Sequence, residues 1–298
     1  MHRIRYFKDK TARHFMLGVS VFGICILIII GISLLLKALP IIKEKNLWTL
    51  LTSSDWKPFA GEFGFLPYIM STLYVSLIAI AIALPLSIFT SVYLSTYSTA
   101  KVRRFFQPFI DVLSGIPSVI YGVWGTLTIV PFIANKVAPR FVEYSSGYTL
   151  LAGGIVLAVM ILPLLISILL EVFQAVPKEM ADASLQLGAT KWQTVKKVIL
   201  KKSYPGIIAA VVLSISRAFG ETIAVLMVCG NFAQLPIGLF DSCYPLPALI
   251  ANNYGEMLSM PSYESALMLS AFLLFIIILI FNAVSRFTLV QIENRYSL

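Results

Sequence analysis

A chain of 298 residues that is 58% hydrophobic and only 12% charged lacks the makeup of a water-soluble domain, in which about 25% of residues are charged. Its net charge of +9 is of a size that nucleic-acid binding also gives, but basic loops facing an anionic lipid leaflet account for it without that partner. Three cysteines are too few for a disulfide framework: Cys25 and Cys229 fall in apolar runs, and Cys243 has no evident partner.

About 20 apolar residues cross a ~30 Å hydrocarbon core as a helix, and six such runs occur: Phe15–Leu36, Phe65–Leu94, Phe109–Ile133, Thr149–Leu170, Gly206–Cys229 and Ser265–Val290. They predict an all-α integral membrane protein of about six transmembrane helices with both termini on one side. The first run follows Arg3, Arg5, Lys8, Lys10 and Arg13, as in a signal peptide. It is longer than the about 7–15 apolar residues of a signal-peptide core, however, and leads into Lys37 and Pro40 rather than a small-residue cleavage site. The expected organisation is therefore a basic tail at 1–14, a retained first helix at 15–36, a core at 65–290 that includes a polar loop at 171–205, and a second tail at 291–298. Lys37–Gly64 mixes charge with Trp48 and Trp56, the pattern of an interfacial loop with aromatic anchors.

Within the third run Pro117 removes a backbone hydrogen bond, and the hydroxyls of Ser114, Ser118 and Tyr121 either satisfy the freed groups or touch a substrate. A kink that serves packing alone is the other reading. Asp111, near the inner end of the run, reads as solvated. The segment Glu171–Pro205 is too polar to enter a bilayer. In it Met180, Ala183 and Leu187 recur at i, i+3 and i+7, Gly188 lets the chain turn, and Trp192, Val195 and Ile199 begin a second amphipathic piece. The first piece either docks a partner or lies on lipid, helped by Lys191, Lys196, Lys197, Lys201 and Lys202.

In the fifth run Arg217 stands eleven residues after Gly206 and twelve before Cys229. A lone charge at that depth costs about 2.5–3.5 kcal/mol on insertion scales. Glu221 follows four residues later, about 6 Å of rise on, so on a continuous helix the two side chains share a face and can meet. The pair either neutralises itself to lock two helices or lines a path. Sixteen of the 23 Lys and Arg residues fall in segments on the side of the N-terminus, six fall on the other side, and Arg217 lies within a span. That bias predicts cytoplasmic termini. His2 and His14 read as surface residues. The chain has no G-x-x-x-x-G-K-[ST], H-E-x-x-H, G-x-S-x-G or C-x-x-C motif, so no nucleotide loop, metal site or nucleophile is expected.

Asp182-Ala183-Ser184, then Gly188, Val198 and Leu200, resembles the E-A-A, three residues, G, nine residues, I-x-L-P loop of ABC importer permeases. It departs at Asp182, Ser184 and Lys201, where that pattern has Glu, Ala and Pro. Ser114-Gly-Ile-Pro-Ser-Val-Ile-Tyr-Gly122 and Arg217-Ala-Phe-Gly-Glu-Thr-Ile-Ala-Val225 resemble motifs of phosphate permeases, and Gly230-Asn231 with Ala248-Leu-Ile-Ala-Asn252 is similar to the PstC rather than the PstA type. The resemblance implies a type I ABC importer permease (MetI-like) fold in the cytoplasmic (inner) membrane and phosphate as cargo. It further implies a second permease of PstA type, two ATP-binding subunits of PstB type that would hold ATP and Mg, and an extracytoplasmic phosphate-binding protein of PstS type. This chain itself would be no enzyme and bind no cofactor.

By the same resemblance Glu179, Asp182, Ala183, Ser184, Gly188 and Ala189 form the ATPase-coupling loop, while Arg217, Glu221, Thr222, Ser114 and Ser118 line the substrate path. Arg217 would meet the anion, its planar fork matching phosphate oxygens. Glu221 would orient it and accept a hydrogen bond from a phosphate O–H, which ionised sulfate lacks. A secondary anion transporter and a non-transporting membrane scaffold or sensor are the rival classes.

Overall fold

The computed structural model describes residues 2–255 and 260–296, without the side chains of 2–9, 289 and 292–296. The charges expected at Arg3, Arg5, Lys8 and Arg295, and His2 beside them, lie outside the described side chains. Helix α1 (His2–Glu44) runs unbroken through the expected tail and first span and on past Leu36. Leaving a helix inside an apolar run would strand backbone polar groups, so the isolated Gly18, Gly23 and Gly31 do not interrupt it. Its later part touches the body of the protein: a Cβ added at Gly31 would fall 2.9 Å from the Phe275 ring, and Lys37 Nζ pairs with Glu264 Oε1 at 3.1 Å.

Helix α2 (Leu47–Thr52) starts on Asn46, whose side chain accepts from the Trp48 N–H. Strands β1 (Trp56–Lys57) and β2 (Glu62–Phe63) pair antiparallel, and Gly61, at φ 71, turns the chain between them. Trp48 is 72% exposed, as an interfacial anchor should be. Trp56 is not an anchor: its ring stands edge-on to Phe63, Phe65, Tyr68 and Tyr263 at centroid distances of 4.9–6.0 Å.

Helix α3 (Leu66–Val92) continues through a wide turn to Tyr97. The expected third span is displaced. Helix α4 (Ala100–Gly115) is a separate element, and the span itself is Ser118–Arg140, containing α5 (Ser118–Trp124) and α6 (Val130–Phe132). The cause is Pro117, which lacks an N–H and forces the preceding residue out of the helical region; Ile116 sits at φ −65, ψ 129. Phe105, Phe106, Phe109 and Val112 of α4 are all exposed.

Helix α7 (Leu150–Gln174) is the centre of the bundle, with Leu157, Ile161, Leu165 and Leu169 fully buried. It packs along α3, where a Cβ added at Gly154 would come 2.3 Å from Ile78 Cγ2. Membrane helices approach through such small residues because lipid gives them little hydrophobic incentive to associate. After it come α8 (Lys178–Gln186), α9 (Lys191–Thr194), α10 (Leu200–Lys202), α11 (Tyr204–Phe219), α12 (Ile223–Val228), α13 (Leu246–Asn253) and α14 (Pro261–Tyr296). A second core forms where Leu246 and Leu249 of α13 and Leu267 of α14 meet Phe65 and Tyr68.

Among the described residues five helices are long and apolar enough to span a membrane, and a bent pair makes a sixth: Lys191–Lys202 followed by Tyr204–Phe219 at 68°. The count matches the six apolar runs, but the expected continuous fifth helix over Gly206–Cys229 does not exist. Its chain leaves the helix after Phe219 and resumes at Ile223. Cys243 forms no disulfide, but it lies beside Cys229: its N–H donates to the Cys229 carbonyl at 2.9 Å. The hydrogen bond between the two buried thiols, then burial, holds the Cys243 thiol well above its usual range.

Candidate translocation path and coupling segment

Arg217 lies in the last turn of α11, where the carbonyl-rich helix end favours a cation. The chain then tightens, with Gly220 N–H donating to the Arg217 carbonyl at 3.2 Å and Glu221 N–H to that of Ala218 at 3.3 Å, the i→i+3 pattern of a helix winding down. Glu221 therefore sits in the break and not one turn further along the same helix. Its Oε1 accepts from the Ala224 N–H at 3.4 Å, which places a carboxylate at the positive start of α12. Among the described residues Arg217 and Glu221 form no ion pair, so the i,i+4 pairing expected from their spacing is corrected: it needed an unbroken helix. Thr222 turns its hydroxyl back to the Gly220 carbonyl at 3.3 Å.

The other broken span lies alongside. Tyr121 of α5 donates its hydroxyl to the Leu113 carbonyl at 2.7 Å, closing the gap opened by Pro117, and it lies within electrostatic reach of Arg217. Helices α5 and α12 are in close contact: a Cβ on Gly122 would fall 3.3 Å from Ala224 Cα, and the Thr126 hydroxyl reaches the Met227 carbonyl at 3.2 Å. Two helices that each start just after a break thus pack together, with Arg217, Glu221 and Tyr121 half-buried or buried around them. Ser114 is spent on its own helix, its hydroxyl donating to the Asp111 carbonyl at 2.9 Å. Ser118 is the half-buried first residue of α5. Sequence reasoning missed the break after Phe219; its only signal was Gly220 and Thr222, both weak helix formers, in an otherwise apolar run.

The 171–205 segment forms the expected short helix and turn. Helix α8 ends in a Schellman motif: Gly188 N–H donates to the Leu185 carbonyl at 3.0 Å and Ala189 N–H to the Ser184 carbonyl at 3.2 Å, with Gly188 at φ +86 as this cap requires. Thr190 and Gln193 then form a reciprocal capping box that starts α9. Ser184, where the importer pattern has Ala, bonds the Thr194 hydroxyl at 3.0 Å and so ties α8 to α9. Glu179, Asp182 and Ala183 are exposed, as is Leu187 at 90%, leaving the predicted apolar face of α8 uncovered. Of the second amphipathic set, Val195 and Ile199 are buried and Trp192 is exposed.

Broken spans and an exposed short helix on a bundle centred on α7 make this a multi-span membrane protein. The profile of the binding-protein-dependent transport system inner membrane component family matches residues 83–297, and the chain belongs to that family. It is 32% identical to the phosphate transport system permease protein PstC of Mesorhizobium japonicum over 98% of this chain and 96% of that protein. To the protein of the same name from Mycobacterium leprae it is 33% identical over 86% of this chain and 85% of that one. YqgH of Bacillus subtilis, a probable ABC transporter permease protein, is 40% identical over 69% of this chain and 66% of its own length. A crystal structure of the MetNI methionine ABC transporter in an inward-facing conformation superposes at a TM-score of 0.54 with 20% identity, covering 74% of this chain and 91% of that one. At that identity the likeness speaks for the fold, which is the MetI-like fold expected.

Proposed function

We propose that the chain is one of two permease subunits of an ATP-driven phosphate importer, with both termini and α8 in the cytoplasm. The observation that carries this reading is the near full-length likeness to PstC. The break that separates Arg217 from Glu221 supports it. A phosphate leaving water for a low-dielectric path loses hydration that only charge or aimed donors replace, and an arginine not already neutralised by a carboxylate offers two parallel donors. Glu221 holds one oxygen on the Ala224 N–H, and its second oxygen accepts the phosphate O–H. Ser118 borders the path; Ser114 and Thr222 shape the backbone beside it.

Two ATPase subunits of PstB type, carrying ATP and Mg, dock on α8. Their closure moves it, and α9–α10 pass the movement through the 68° bend to α11. Such coupling requires that α8 be held differently in the two states. A PstA-type permease completes the path and a PstS-type protein delivers phosphate from outside. The chain catalyses no reaction itself.

The test is uptake of labelled phosphate into vesicles holding both permeases and the ATPase, with binding protein on the delivery side. Uptake that needs ATP hydrolysis and resists competition by sulfate is expected. Uptake driven by an ion gradient without the ATPase would make the chain a secondary transporter, and no vectorial movement at all would make it a scaffold.

A further inference from the structure

A cavity of about 470 Å³ lies between α4, the wide turn after α3, the end of α7, and α8–α9. It is separate from the path. Arg103, Lys178 and Lys191 line it with one carboxylate, Asp182, and the hydroxyl residues Ser95 and Thr96. Among the described residues none of the three cations is ion-paired, Asp182 notwithstanding. The Arg103 Nε is buried and finds no hydrogen-bond partner there.

A buried guanidinium N–H without an acceptor is costly, and more so because it is charged. Water could satisfy the donor but would leave the cavity wall net positive, with three cations, two of them solvent-exposed, against the one carboxylate of Asp182. A tetrahedral phosphate group satisfies the donor and offsets that charge: several of its oxygens accept hydrogen bonds at once, and the guanidinium and ammonium groups are suited donors. The cavity has room for it, and Ser95 and Thr96 add hydroxyls at the wall. Basic pockets at the ends of membrane helices take phosphorylated headgroups for the same reason.

We propose that this cavity binds a phosphate group, as inorganic phosphate or as the headgroup of an anionic phospholipid. The occupant bridges Arg103 on α4 to Lys178 on α8 and Lys191 on α9, and so fixes α8 against the bundle. The effect on transport rests on the coupling role proposed for α8; the binding does not.

The full-length chain, purified in a phosphate-free zwitterionic detergent, is melted with increasing inorganic phosphate against chloride at equal ionic strength. In a second arm it is melted with phosphatidylglycerol against phosphatidylcholine. A saturable rise in melting temperature in one arm is expected, and that arm identifies the source. Arg103→Gln and Lys191→Gln should each weaken the apparent affinity by about tenfold or more, the usual effect of losing a hydrogen bond to a charged group. Lys191 is exposed, so its variant decides the matter if Arg103→Gln fails to fold. The proposal is overturned if neither arm saturates beyond its control, or if Lys191→Gln leaves the apparent affinity unchanged. It is overturned too if the response is lost in Arg217→Gln instead, which would place the phosphate in the path. Because no ATPase is present, failure of the transport reading leaves this measurement unaffected.

Discussion

Arg217 and Glu221 have opposite charges four residues apart, and on a continuous helix they would cancel. The break after Phe219 gives each a helix terminus of opposite, stabilising sign, α11's carbonyl end for the arginine and α12's amide end for the carboxylate. Each is thus stabilised without consuming the other, and that leaves both able to address a ligand. If Glu221 accepts the phosphate O–H, Glu221→Gln removes an acceptor that sulfate never needed. Phosphate uptake should then fall by about tenfold or more while inhibition by sulfate strengthens, measured by competition in the reconstituted system; unchanged preference would sink that role. At this scale the sequence revealed the residues and their signs. Their relation it misrepresented, because spacing predicts geometry only within an unbroken helix. The hydroxyls were ambiguous for a similar reason: Tyr121 closes the backbone gap and Ser114 serves its own turn, outcomes that depend on rotamers and not on order along the chain.

Helix α8 shows how much an element's end can decide. Its stop is a Schellman motif that needs a left-handed residue, and Gly188 fills it with open space around the missing Cβ. A side chain there meets no neighbour, so the penalty is conformational, about 1–2 kcal/mol for an ordinary residue and more for a β-branched one. Gly188→Val should insert into the membrane normally yet lose ATP-coupled uptake, whereas Gly188→Asn, which tolerates the left-handed region, should retain most of it. Equal uptake in both variants would argue against the turn's part in coupling. The helix, its turn and its uncovered apolar side were legible from the 3.6-residue period and one glycine. The displaced third span was half legible: Pro117 announced a kink, but the break is complete, and the apolar residues of α4 that seemed to belong to the span form a separate exposed face.

For the whole molecule, composition alone gave the class, since six apolar runs in a charge-poor chain leave few alternatives to a membrane bundle. Which helix sits at the centre was not readable, because spans that are apolar all round lack a face to point inward. The structure puts α7 there, with Gly154 admitting α3 and Gly153 admitting the Cys229 thiol at close range. The same architecture sets two broken spans side by side at α5 and α12 and puts Arg217 near their junction, where a partner permease would complete the route. The most direct test of that arrangement is ATP-driven phosphate uptake by the reconstituted importer carrying Arg217→Gln beside Arg217→Lys. Uptake should drop by about tenfold or more in the glutamine variant, which lacks the charge, and partly recover with lysine, while the ATPase still hydrolyses ATP. Wild-type uptake by Arg217→Gln would contradict the account.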